Sequence, residues 1–172
     1  MPIKRSDYIT IAADELQLFK AMLLDKLINH KLEELIEDIC IIRLRYPEDM
    51  GKFPGIALMT TGLRSVTDCV DETGNYVDEF TKTIVVDIYC MENQEITYNG
   101  IRYKGAENVL TVIRDIVYRI VSENQTYENE SCTGITFDTL TIIGESWTTM
   151  YRGISDCSAV QLRFDVQYEK VR

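Results

Sequence analysis

The spacing of apolar residues changes along the chain, and each change marks an element. In residues 105–124 (GAENVLTVIRDIVYRIVSEN), Val109, Val112, Ile113, Ile116, Val117 and Ile120 recur at spacings of three and one, which predicts one apolar helical stripe. Asn108, Thr111, Arg114, Asp115, Tyr118 and Arg119 fall between them and form the wetter face. All six apolar residues are β-branched and lose χ1 freedom in a helix, so the segment depends on tertiary packing. Burying them contributes on the order of 10 kcal/mol of gross transfer free energy, for which a sheet is the natural partner.

Upstream, Thr10 is placed to cap a first helix, with Asp14 and Glu15 beside its positive end. Ile11, Leu16, Phe19, Leu23, Leu27 and Ile28 form its stripe, and Asn29 with His30 offers a break. Leu32, Leu35, Ile36 and Ile39 keep helical spacing and predict a second helical piece, with Glu33, Glu34, Glu37 and Asp38 facing water. Residues 40–46 read as a short strand stopped by Pro47, and the glycines and prolines that follow predict a loop.

From Ile56 the period becomes two. Residues 56–70 and 76–91 predict a long hairpin about the turn Asp71-Glu72-Thr73-Gly74-Asn75. On its return arm Phe80, Ile84, Val86, Ile88 and Cys90 share one face, and Val85, Asp87, Tyr89 and Met91 the other, so this strand is expected to be covered twice. In residues 95–104, Asn99-Gly100 between short alternating runs predicts a type I′ hairpin. Such a hairpin is marginal alone, so Tyr98, Ile101 and Tyr103 either fold back or meet another chain. Residues 125–134 read as a loop. Residues 139–151 read as a strand with Gly144 a bulge and Trp147 half-buried, and residues 152–158 reverse the chain. The last strand alternates Val160, Leu162, Phe164, Val166 and Tyr168 with Gln161, Arg163, Asp165, Gln167 and Glu169.

These elements make an α+β fold: a mostly antiparallel sheet of two long hairpins packed against an amphipathic helix and an N-terminal helix. With 172 residues, 45% of them hydrophobic, one domain spanning residues 1–172 accounts for the whole. A net charge of −10 excludes general affinity for nucleic-acid phosphates, which requires a basic surface. Cys40, Cys69, Cys90, Cys132 and Cys157 are odd in number and widely spaced, which fits free, mostly buried thiols in a reducing compartment. No apolar stretch is long enough for a membrane span, and the N-terminus has no secretory apolar core, so cytosolic synthesis is expected.

No catalytic signature is present. His30 is the one histidine, and the chain lacks a nucleophile elbow, a phosphate-binding glycine loop and a dinucleotide fingerprint. The acids at the hairpin tip, Asp68, Asp71, Glu72, Asp78 and Glu79, lack calcium-loop spacing and read as a repulsive, solvated end. No metal, cofactor or enzymatic activity is expected.

The order of elements, the size and the acidic charge resemble the tail terminator proteins of long-tailed bacteriophages over nearly the whole chain. Residues 53–59 (FPGIALM), 81–89 (TKTIVVDIY) and 160–168 (VQLRFDVQY) carry the resemblance, and the 98–103 hairpin is an addition to the minimal pattern. The resemblance implies a virion protein assembled in the host cytoplasm as a homo-oligomeric ring, usually of six subunits. Such a ring caps the tail tube, meets a neck or head-completion protein, and lets DNA pass without specific binding. Because loops carry contacts, Asp68, Asp71, Glu72, Asn75, Asp78, Tyr98, Arg102 and Tyr103 are the expected partner contacts. Arg114, Arg119, Arg163 and Asp165 are the expected subunit interface. The alternatives are a head-completion or connector protein at the same junction, a cytosolic small-ligand-binding module, and, last, a carboxylate enzyme.

Overall fold

A computed structural model describes residues 14–30, 35–41, 52–128 and 135–171. Helix α1 (Asp14–His30) leads to strand β1 (Asp38–Ile41), the long strands β2 (Gly55–Val70) and β3 (Tyr76–Met91), and the small hairpin β4 (Glu95–Tyr98) and β5 (Ile101–Lys104). Helix α2 (Ala106–Glu123), strand β6 (Tyr127–Glu128), strand β7 (Thr136–Thr148), a 3-10 turn (Tyr151–Gly153) and strand β8 (Cys157–Val171) complete the order. Among the described residues, six strands form one sheet in the order β1-β2-β3-β8-β7-β6, and β4 and β5 pair with each other in a second. The β1–β2 contact is parallel and the other pairings are antiparallel.

The helical period of residues 105–124 produces α2 as expected, and its stripe is wider than the six predicted residues. Leu110 and Val121 are buried with Val109, Ile113, Ile116, Val117 and Ile120, whereas Val112 is only partly covered. This face lies on Ile84, Val86 and Ile88 of β3 and on Val160, Leu162, Phe164 and Val166 of β8, in one continuous core. Helix α1 adds Leu16, Leu18, Phe19, Met22 and Leu23. Thr10 and Ile11, the expected start of this helix, lie outside the described residues.

Three predicted boundaries are corrected. The second helical piece is not helical where it is described: Leu35 lies in a turn and Asp38–Ile41 is a strand paired in parallel with Gly55–Leu58. Ile39 and Ile41 are both buried, so the two-residue spacing wins once β2 supplies a partner, a tertiary preference that local propensity does not report. The rest of the strand expected over residues 40–46 lies outside the described residues. The expected loop at residues 125–134 includes the short strand β6, whose Tyr127 pairs with Phe137. That pairing starts β7 at Thr136, and the strand ends at Thr148, before the buried Tyr151.

The second face of β3 is covered as predicted, at one end. Tyr89, Ala57, Cys157, Ala159 and Tyr151 form a small second core with Phe53 and Ile154 packed against it. Tyr89 stacks on Tyr151 with ring centroids 5.5 Å apart and meets the edge of Phe53 at 5.6 Å. Gly55, opposite Tyr89 in the register, leaves the space this ring fills, because a β-carbon there would overlap the ring. Asp87 is buried on the same face; Tyr151 donates its hydroxyl proton to Oδ2 at 2.7 Å and Gln161 donates to Oδ1 at 3.0 Å.

Candidate assembly surfaces

The turn that joins β2 to β3 is built by Asp71. Its Oδ1 accepts the backbone N–H of Thr73 at 2.9 Å, the Thr73 hydroxyl at 2.7 Å and the backbone N–H of Asn75 at 2.9 Å, while Gly74 takes positive φ. The Thr73 hydroxyl bond comes first among the causes that hold the Asp71 carboxyl below its usual range. Glu72 and Asn75 are exposed, Asp78 is half-buried, and Asp68 is placed by its backbone opposite Asp78. The predicted acids therefore share one end of the molecule. Sequence reasoning passed over the apolar pair beside them, Val70 and Tyr76, which face each other across the hairpin at 56% and 68% exposure.

Farther along β3, Glu79 lies directly opposite Glu169 of β8, and Cys69, Glu79 and Glu169 bring ligand atoms within 4.8 Å of one another. Like charges across a strand pair repel. Some loss of solvation, followed by repulsion from Asp138, Glu79, Asp71 and Glu72, raises the Glu169 carboxyl, and loss of solvation with repulsion from Glu79 raises Asp138. A raised carboxyl binds its proton more tightly when folded, so its cost at neutral pH is relieved as pH falls through its raised folded value. Asp71 has the opposite sign: its contribution is present above the unfolded value near 3.8 and is lost as pH falls through its lower folded value. Carboxyl titration by NMR should find Asp71 below its ordinary range and Asp138 and Glu169 above theirs. Ordinary values at all three would contradict this picture of the tip.

The β4–β5 hairpin turns on Asn99 (φ 51°) and Gly100 (φ 78°), as its sequence predicts. Tyr98 and Tyr103 fold back against the main core, and Arg102 makes a two-point ion pair with Glu95 at 2.5 and 2.8 Å. That hydrogen bond lowers the Glu95 carboxyl. The apolar side chain this hairpin presents most openly is Ile101, one of the three residues expected either to fold back or to meet another chain.

Arg114 and Arg119 project from α2, whereas Arg163 and Asp165 lie on the opposite face of the sheet, alternating with the buried Leu162, Phe164 and Val166. The four expected interface residues therefore do not form one patch. Arg114 pairs with Asp115 at 2.9 Å and Glu145 at 3.4 Å and sits 5.8 Å from the Trp147 ring centroid. Tyr118 donates its hydroxyl proton to Glu145 at 2.9 Å, and burial comes first among the causes that push this phenol up to about 12. Across the sheet, Arg163 donates to Gln161 and Asp165 accepts from Thr83.

β7 is mostly open, with Phe137 and Leu140 its buried side chains. Ile142, Ile143 and Trp147 are exposed on it, and Met150 follows just beyond its end. The register slips between Ile142 and Gly144, at the bulge expected around Gly144. Beside Trp147 opens a cavity of about 530 Å³, lined by Ala106, Glu107, Leu110, Thr148, Thr149 and Ser158. Cys90 and Cys157 are buried, Cys132 lies outside the described residues, and Cys69 is half-buried. Burial pushes Cys90 up to about 12 and Cys157 up to about 11, so both remain protonated and unreactive at neutral pH. Among the described residues no helix is long and apolar enough to cross a membrane.

No protein-family model and no curated protein matches the chain. Among solved structures it is similar to a chain described as "Virion of native gene transfer agent (GTA) particle", at 12% identity, covering 95% of this chain and 91% of that chain, with a TM-score of 0.42. At that identity and TM-score the likeness carries no functional weight.

Proposed function

We propose that this chain is a structural virion subunit that caps a phage tail tube as a ring and joins the tail to the neck or head. The observation that carries the reading is the placement of exposed apolar side chains. Val70 and Tyr76 sit at the long tip, Ile101 at the small hairpin, and Ile142, Ile143, Trp147 and Met150 along β7, on a chain of net charge −10. Apolar groups displayed at tips and along a strand edge suit contacts with several neighbours. The acidic charge suits a passage through which DNA slides without adhering. The long hairpin and the closing hairpin, two of the elements on which the resemblance to tail terminators rests, share one sheet.

In this reading the acidic tip and the β4–β5 hairpin, with Asp68, Asp71, Glu72, Asn75, Asp78, Tyr98, Arg102 and Tyr103, meet the tube or neck. Arg114, Arg119, Arg163 and Asp165 serve contacts between subunits, with Arg114 and Arg119 acting on one side of the sheet and Arg163 and Asp165 on the other. Antibody labelling of purified tails and filled heads in the electron microscope tests the assignment. Label at the head-proximal end of tails is the expected result, label only on heads makes the chain a connector, and label on neither sinks the virion reading.

A further inference from the structure

We propose that the open edge of β7 is a docking site for a second copy of this chain, which adds its own β2 edge to the sheet. The inference rests on the ring reading and names the surfaces that would close the ring. β7 pairs with β8 on its inner side; on its outer side β6 reaches only Thr136 and Phe137. From Thr139 to Thr148 no described strand occupies that outer side. Natural edge strands are usually protected by lysine, proline or heavy charge. This run, TLTIIGESWT, has no lysine or proline and one charge, Glu145, which already pairs with Arg114.

Among the described residues, the other edge of the same sheet is open in the same way. β1 covers β2 only from Gly55 to Leu58, and from Met59 to Val70 no described strand lies outside it. This run carries one charge of each sign, Arg64 and Asp68, and like the β7 run it has no lysine or proline. Strand directions fix how the two edges would meet. β2, β3, β8 and β7 alternate in direction, so β2 and β7 of one subunit run oppositely. A ring axis parallel to the strands leaves those directions unchanged from copy to copy, so a neighbour's β2 arrives antiparallel to β7, the more stable ladder. The contact joins two different surfaces, which is the kind that closes into a ring. Backbone bonds would supply affinity, and the cavity beside Trp147 and Leu110 would take an apolar side chain of the incoming strand.

The test uses two variants of the full chain, Ile143→Lys to protect the β7 edge and Ser65→Lys to protect the β2 edge, with sedimentation for mass and circular dichroism for fold. Each variant alone should keep the parent's circular dichroism spectrum and sediment as a monomer where the parent forms its oligomer. Mixed in equal amounts they should give a dimer and nothing larger, because one competent edge of each kind remains. If both variants still form the parent oligomer, the edge assignment fails and the ring reading stands. If the variants fail to recombine on mixing, head-to-tail pairing is wrong. If the parent forms no oligomer at any concentration or on tail tubes, both readings fall.

Discussion

Phe164→Ala should cost about 3–5 kcal/mol of folding stability, the range for removing a fully buried aromatic side chain. Phe164 is completely buried in mid-β8, where the register sets it between Ile84 of β3 and Ile142 of β7. Its ring lies 5.6 Å from Phe19 of α1 and 6.2 Å from Tyr118 of α2, centroid to centroid. Two helices and three strands therefore meet at one side chain, and the vacated volume cannot be refilled without moving several elements. Because a domain has only about 5–15 kcal/mol of net stability, the variant should unfold at much lower urea with an unchanged slope. Gln167→Ala, on the wet face of the same strand, should change stability by no more than about 0.5 kcal/mol. A loss below about 1 kcal/mol for Phe164→Ala would mean that the helices do not converge on β8.

Glu15→Ala should be almost as damaging, for an electrostatic reason. The Glu15 carboxylate is wholly buried; Lys82 donates to Oε1 at 3.3 Å and the Tyr168 hydroxyl donates to Oε2 at 3.3 Å. The Lys82 side chain is only 14% exposed, and its ammonium lies 5.6 Å from the Phe80 ring centroid and 5.8 Å from that of Tyr168. Removing the carboxylate leaves this cation in an apolar setting without its counter-charge, a change that typically costs about 3–5 kcal/mol. Glu15→Gln keeps an acceptor and should lose less. The double variant Glu15→Met, Lys82→Met should recover much of the loss, since two apolar side chains replace a desolvated pair. If it is no more stable than Glu15→Ala, the cost came from packing and not from a stranded charge.

The parts of this fold that were readable from the sequence are those fixed by local period and turn chemistry. The stripe of α2, the alternation of β8 and the Asn99-Gly100 turn each satisfy a constraint contained within about twenty residues. What was not readable depends on a partner far along the chain. Asp38–Ile41 is a strand because Gly55–Leu58 lies beside it, and Ile36 and Ile39 suggest a helix when that strand is not considered. Glu15 reads as a carboxylate favourably placed at a helix start; its burial follows from Lys82, 67 residues away. On the candidate surfaces, the acids of the long tip were visible as a group. The exposure of Ile101, Ile143 and Trp147 was not, because an apolar residue in an alternating strand looks the same whether its face is covered or open. Arg114 and Arg163 each lie on the wet face of their own element, which is what the sequence shows, and the sheet separates the two faces.

On the proposed function this chain works as one subunit of a closed ring. Electron microscopy of the purified protein, alone and mixed with tail tubes, separates a ring from a lone subunit. Closed rings are expected, six-fold by the tail-terminator resemblance, with a central hole matching the bore of the tube. Particles that remain single subunits both in isolation and at tube ends would contradict it.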